Sequence, residues 1–394
     1  MLNKAKKLFN PLTTIYLLTT LSLLLSLQKF NHCVKYQWST AFAYKNGCYS
    51  DIPPLFIKYH FYQHIFPYAH GENSFEYPTG MALITHLLSY VNTGAKHVLS
   101  SYFYTTLIFL SLAFILSVFV IQKSSSSSPL LFVLAPATLF SLFINWDLAA
   151  ILPLLTSLYL FKRGNFTLSS LSLSLATSIK FIPVFILLPI NYIFFRDKKY
   201  KQALKFNLFF TLSWLVVNLP FALLYPKGFT HFYIFNLHRS ADWGSYWYAS
   251  YLLNPVNPKL IANVITVLSL TLFSYVAFRM RKTLDLNFLS LLVIGFVTTL
   301  AQVYSPQYTI WLSALTALVP GVRKVLIPFI SWQTAELIYN LAIWSRLTNT
   351  LEPSSGITES TYALTIILRV LLFLYFIFSL YLSKRKEQDP ENQD

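Results

Sequence analysis

The chain has 394 residues, of which 55% are hydrophobic, 18% aromatic and only 11% charged, with a mean hydropathy of +0.53. Such a composition excludes an ordinary soluble domain and indicates a polytopic α-helical membrane protein. The net charge of +16 would suit a nucleic-acid binder by magnitude, but no recognition motif accompanies it, so no nucleic-acid partner is expected.

Charge-free runs long enough to cross hydrocarbon, about 20 residues with some shorter or tilted, fall near 11–27, 98–121, 129–145, 147–161, 166–180, 181–195, 206–226, 260–278, 286–303, 307–320, 325–345 and 361–382. They predict an all-α bundle of about twelve spans, with a range of about ten to thirteen. Several runs are short, so half-helices broken at Pro136, Pro153, Pro183 and Pro306 are expected. The first run has a basic start, but Gln28, Lys29 and Phe30 follow it rather than a small-residue cleavage site, so it reads as a retained span.

The organisation is a single membrane-embedded domain, 1–394. A long first external loop covers 28–97, and within it 78–93 reads as an interfacial or re-entrant helix. Ser124 to Ser128 read as a flexible loop. A second external loop covers 225–259, and 383–394 form a tail. With the N-terminus inside, the inner segments collect Lys4, Lys6, Lys7, Lys123, Lys162, Arg163, Arg196, Lys198, Lys199, Lys201, Lys205, Arg279, Arg281, Lys282, Arg323, Lys324, Lys384, Arg385 and Lys386. This bias satisfies the positive-inside rule and predicts both termini in the cytoplasm of a plasma-membrane protein. Cys33 and Cys48, the only cysteines, then share the first external loop, where an oxidising compartment permits a disulfide.

The same topology gathers the polar groups on the external side: Asp51, Glu76, Asn145-Trp146-Asp147, Lys180, the segment His238-Arg239-Ser240-Ala241-Asp242-Trp243-Gly244-Ser245-Tyr246-Trp247, and Gln302-Val303-Tyr304-Ser305-Pro306-Gln307. Convergence of this kind marks an outward-facing site. Asp51, in Cys48-Tyr49-Ser50-Asp51-Ile52-Pro53-Pro54, is placed to act as a general base, or else it caps the following turn. Asp147 either caps its span or supports the site. Lys180 either snorkels to the interface or contacts phosphate. His238 and Arg239 suit a phosphate or a lipid headgroup, and Glu76 is a further loop acid. Trp243, Tyr246, Trp247, Tyr248 and Tyr251 read equally as an interfacial belt or as stacking surfaces for sugar. His60, His64 and His70 lack a zinc pattern, and neither metal nor cofactor is expected. Glu336 and Arg369, at similar depth in neighbouring spans, are expected to pair.

Together, Cys48-Tyr49-Ser50-Asp51-Ile52-Pro53-Pro54, Glu76-Tyr77-Pro78, Asn145-Trp146-Asp147, Lys180 followed by Pro183, Ala241-Asp242-Trp243-Gly244-Ser245 and Tyr304-Ser305-Pro306-Gln307-Tyr308 resemble actinobacterial integral-membrane glycosyltransferases of the C superfamily, the polyprenol-phosphate-mannose-dependent α-mannosyltransferases. The resemblance runs from about residue 33 to 320. It implies the C-superfamily fold, a polyprenyl-phosphate mannose donor, a lipid or glycan acceptor, transfer on the outer face, and Asp51 as catalytic base. Arg239, His238, Lys180, Glu76, Asp147, Trp243, Tyr304 and Gln307 are the matching candidates for substrate and phosphate binding. The glycine count of 10 and the lack of a Gly-rich fingerprint agree with a donor that is not a nucleotide sugar. A transporter or flippase of lipid-linked sugars is the rival reading, for which functional residues near the bilayer midplane would be expected.

Overall fold

The computed structural model describes residues 11–71, 74–91, 97–124, 128–241, 244–253, 285–353 and 355–386. Among these residues every regular element is a helix. In chain order they are α1 (Pro11–Lys35), α2 (Thr40–Lys45), α3 (Ile52–Lys58), α4 (Thr79–Tyr90), α5 (Val98–Lys123), α6 (Leu130–Val133), α7 (Pro136–Ser141), α8 (Leu148–Lys162) and α9 (Phe166–Ile179). Then follow α10 (Leu187–Arg196), α11 (Tyr200–Leu224), α12 (Pro226–His238), α13 (Tyr246–Leu253), α14 (Leu286–Leu300), α15 (Tyr308–Leu318), α16 (Leu326–Leu351) and α17 (Glu359–Lys386).

Among the described residues three helices, α5, α11 and α17, are long and apolar enough to cross a membrane. Only 11% of the most apolar stretch of α11 is buried within the protein. Leu204, Leu208, Leu212, Val216 and Leu223 are all exposed along it, an arrangement that water penalises and lipid accepts. The expected runs resolve unevenly. The run 129–145 is two short helices, because Pro136 begins α7 and ends the helix before it. The run 181–195 divides into a 3-10 turn, Ile182–Ile186, and α10, with Pro183 in the first turn. Pro306 directly precedes α15. Pro153, by contrast, lies inside a continuous α8. There Ile151, Leu154 and Leu155 around it are buried, and packing holds the helix through the missing hydrogen bond. The 12 residues of α4 are too short to cross a bilayer at about 1.5 Å per residue. The run 260–278 lies outside the described residues.

The α8–α9 hairpin is the spine of the site. Gly164 turns the chain with φ +76°, and Asn165 accepts the Leu168 N–H at 3.1 Å to start α9. Ser157 and Ser169 then donate to each other's carbonyls at 2.8 and 2.9 Å. Small hydroxyl residues let the two backbones approach closely, as membrane helices require. On the other side of α9, Gly80 of α4 lies against the Ser178 carbonyl, where any Cβ would be 2.7 Å from oxygen.

The two ends of this spine differ in chemistry. At one end are Lys162, which ends α8, and Arg163 after it, Arg323 donating to Ser128 Oγ at 3.1 Å, and Lys384 paired with Asp285 at 3.1 Å. At the other end, Asp147 precedes α8, Lys180 follows α9 and Gln307 precedes α15. The intervening helices separate these ends by about 20 Å. Cys33 and Cys48 form the expected disulfide, closing 15 residues and tying the end of α1 to the segment entering α3.

Candidate functional site

A cavity of about 740 Å³ opens at the polar end. Asp51 lies in its wall on the segment that leads into α3. The Ser50 hydroxyl donates to the Phe143 carbonyl at 2.7 Å and the Asp51 N–H to the Ile144 carbonyl at 2.7 Å, so this segment is fastened to the chain before α8. Asp51 stands at the N-terminus of α3, yet its side chain makes no capping bond. The reason is local: the second and third positions of α3 are Pro53 and Pro54, which have no N–H to give. The carboxylate is left for the cavity.

Asn145 defines its geometry. One amide group donates to Asp51 Oδ2 at 2.8 Å and to the Tyr77 hydroxyl at 2.7 Å. The Asn145 side-chain oxygen is held by the Trp146 N–H at 2.7 Å, which fixes the amide's orientation. Burial pushes the Asp51 carboxyl up to about 6. The Asn145 and Tyr49 hydrogen bonds and the Lys180 charge oppose this, and the Glu76 charge adds to it.

Asp147 is fully buried and makes no cap either. One oxygen accepts from Lys180 Nζ at 2.8 Å and the other from Trp311 Nε1 at 2.6 Å. Lys180 lines the cavity with its ammonium 5.1 Å from the centre of the Tyr77 ring. With three donors and one given to Asp147, it keeps two for a ligand. Glu76 accepts from Lys58 Nζ at 2.9 Å and from the Tyr59 hydroxyl at 2.8 Å. Arg239 leaves the end of α12 in extended backbone and lines the cavity beyond Lys180, with its guanidinium 5.5 Å from the Phe235 ring centre.

The remaining wall is held from behind. Tyr304 donates to Glu336 Oε1 at 2.8 Å, and the Arg369 guanidinium stacks 3.4 Å from the Tyr304 ring centre. Arg369 pairs with Glu336 at 3.8 Å, as the sequence predicts, and also donates to the Gly244 carbonyl at 3.0 Å. A Cβ at Gly244 would lie 1.9 Å from the Tyr304 carbonyl oxygen, so only glycine fits there. Gln307 is buried in the wall, and its Oε1 has no hydrogen-bond partner among the described residues.

The cavity therefore brings together Asp51, Glu76, Lys180, Arg239, Tyr304 and Gln307, with Asp147 directly behind Lys180. His238 is exposed at the last position of α12 and does not line the cavity. Trp243 lies outside the described residues. Tyr246, Trp247, Tyr248 and Tyr251 sit on α13 away from the cavity, with Trp247 donating to the Leu300 carbonyl at 2.8 Å. Sequence reasoning did not single out Tyr44, Tyr49 or Trp344, which line the cavity beside Asp51. Trp311 was missed as well. The signal available in the sequence was Tyr49, two residues from Asp51.

Among the described residues no three His, Cys, Asp or Glu side chains gather as metal ligands would. No protein-family model matches this chain, and no curated protein matches it.

Proposed function

We propose that the protein is a membrane glycosyltransferase that moves a hexose, on the family resemblance mannose, from a polyprenyl phosphate to an envelope glycolipid or glycan. The observation that carries the reading is the placement of Asp51: an uncapped carboxylate in a cavity wall, raised toward neutrality by burial, with two cations further along the same wall. A base with a pKa near the working pH is the most effective one.

The step is a single displacement. The acceptor hydroxyl gives its proton to Asp51 as its oxygen forms a bond to the anomeric carbon. The bond from that carbon to the phosphate oxygen breaks, and its electron pair leaves with polyprenyl phosphate. Lys180 and Arg239 meet the charge that develops on the leaving oxygens. Asp51 then returns its proton to water. The anomeric configuration inverts, so a β-linked donor gives an α-linked product. Gln307 Oε1 offers an acceptor for a sugar hydroxyl, since an unpaired buried carbonyl gains most from such a partner.

On this reading the cavity faces outward, the basic pole and both termini face the cytoplasm, and the bundle has the C-superfamily architecture with about twelve spans. The exported site has no supply of nucleotide sugars, which favours the lipid-linked donor. The test is incubation of purified protein with labelled polyprenyl-phosphate mannose and a membrane glycolipid extract. A labelled, anomerically inverted product supports the proposal, and use of a nucleotide-mannose without polyprenyl phosphate defeats it.

A further inference from the structure

The contacts along the cavity wall have an order. Trp344 lies 5.0 Å from Tyr49 between ring centres, and Tyr44 lies 5.2 Å from Tyr49 and 6.0 Å from Trp344, the last two nearly parallel at 14°. Tyr49 interacts through its hydroxyl with Asp51. Asp51 connects through Asn145 to Tyr77, and Tyr77 to Lys180. Phe181 follows, 6.3 Å from Phe232 of α12, the helix that ends at Arg239. The sequence of chemistries is thus an aromatic platform, a carboxylate, then cations set among apolar side chains.

From this order we infer that Tyr44, Tyr49 and Trp344 form the acceptor subsite and that the acceptor presents a sugar ring, not a lipid alcohol, to Asp51. The inference rests on the proposed transferase reading and assigns the half of the cavity that reading leaves open. Phosphate belongs with Lys180 and Arg239 on one side of Asp51, so the nucleophile must approach from the other. That side is a wall of three aromatic rings. The polarised C–H bonds on one face of a hexose match the negative face of such rings, while a single alkyl alcohol has no comparable flat surface.

The platform is built to keep its shape. Trp344 is 4% exposed, and its indole N–H donates to Asn340 Oδ1 at 3.1 Å, which sets the ring orientation. Gly47, in the left-handed region at φ +62°, turns the chain beside Trp344, whose Cδ1 would be 4.0 Å from a Cβ placed there, and the Cys33–Cys48 disulfide fastens the residue next to Tyr49. Fixed rings lose little freedom when a sugar stacks on them.

The experiment compares methyl hexosides with dioleoylglycerol as acceptors for polyprenyl-phosphate mannose, using wild type, Tyr44→Ala, Trp344→Ala and Trp344→Phe. Hexosides should be the better acceptors. Tyr44→Ala and Trp344→Ala should raise the hexoside KM about tenfold with the donor KM unchanged, and Trp344→Phe should recover most of the loss. Preferred transfer to dioleoylglycerol, or an unchanged hexoside KM in both alanine variants, overturns the inference while leaving the transferase reading intact. Saturation-transfer NMR from aromatic protons to methyl hexosides needs no turnover. Its signal should be present in wild type and absent in whichever alanine variant keeps the wild-type Tm, and its absence in wild type also overturns the inference. A hexoside signal without any use of the donor would instead break the transferase reading alone.

Discussion

Asp51 and Asp147 occupy the same kind of position and have opposite surroundings. Each directly precedes a helix, each has helical backbone angles, and neither caps. Asp147 has both oxygens occupied by Lys180 and Trp311 and no exposure at all. Asp51 has an amide and a tyrosine hydroxyl for company and faces open space. The difference teaches that the partners, not the place in the helix, divide the two roles. One carboxylate is compensated and holds the wall, and the other is held in a state from which it can take a proton.

The largest test of this contrast is Asp51→Asn, which should lower sugar transfer by about 10²–10⁴-fold with an unchanged Tm. Because no capping bond exists to be lost, a fall in Tm would show that Asp51 is structural. Asp147→Ala should behave in the opposite way. It leaves Lys180 buried without its anion, and removing one partner of such a pair costs about 3–5 kcal/mol, read as loss of folded protein in a thermal or denaturant scan. A stable, inactive Asp147→Ala would erase the distinction.

A third change acts on the segment that delivers Asp51. Replacing Cys33 and Cys48 by serine should cost about 3 kcal/mol for the 15-residue loop, while mass spectrometry of protein made in an oxidising compartment should find no free thiol. The smallest effect sharpens the comparison most. Protonated Asp51 cannot act as a base, so kcat/KM should fall below a pH of about 6 and level off above it. The amide bond from Asn145 favours the charged carboxylate, so Asn145→Ala should move this inflection to higher pH.

Much of this was legible in the sequence. Composition marked a helical membrane chain, the lone cysteine pair marked the disulfide, and matched depth marked the Glu336–Arg369 pair. The sequence left Asp51 open as a base or a cap, and the structure decides against the cap, because Pro53 and Pro54 have no N–H to give. What the sequence hides is long-range pairing. Trp311 reaches Asp147 across 164 positions, and Asn145 reaches Asp51 across 94. Trp344, in the middle of an apolar helix, has no local mark that separates it from core. His238 and Arg239 look like one unit on paper. The helix ends between them, so one turns outward and the other enters the cavity.

The clamp formed by Arg369 has a consequence for how the molecule is made. Helix α17 contributes no residue to the cavity lining, yet its guanidinium joins Gly244 to Tyr304. Every lining residue is synthesised before this helix, but the wall they form is unpinned until it arrives. A nascent chain halted after α16 would carry every residue of the cavity lining without the contact that holds Gly244 to Tyr304, so the shape of the wall is acquired only when α17 joins the bundle.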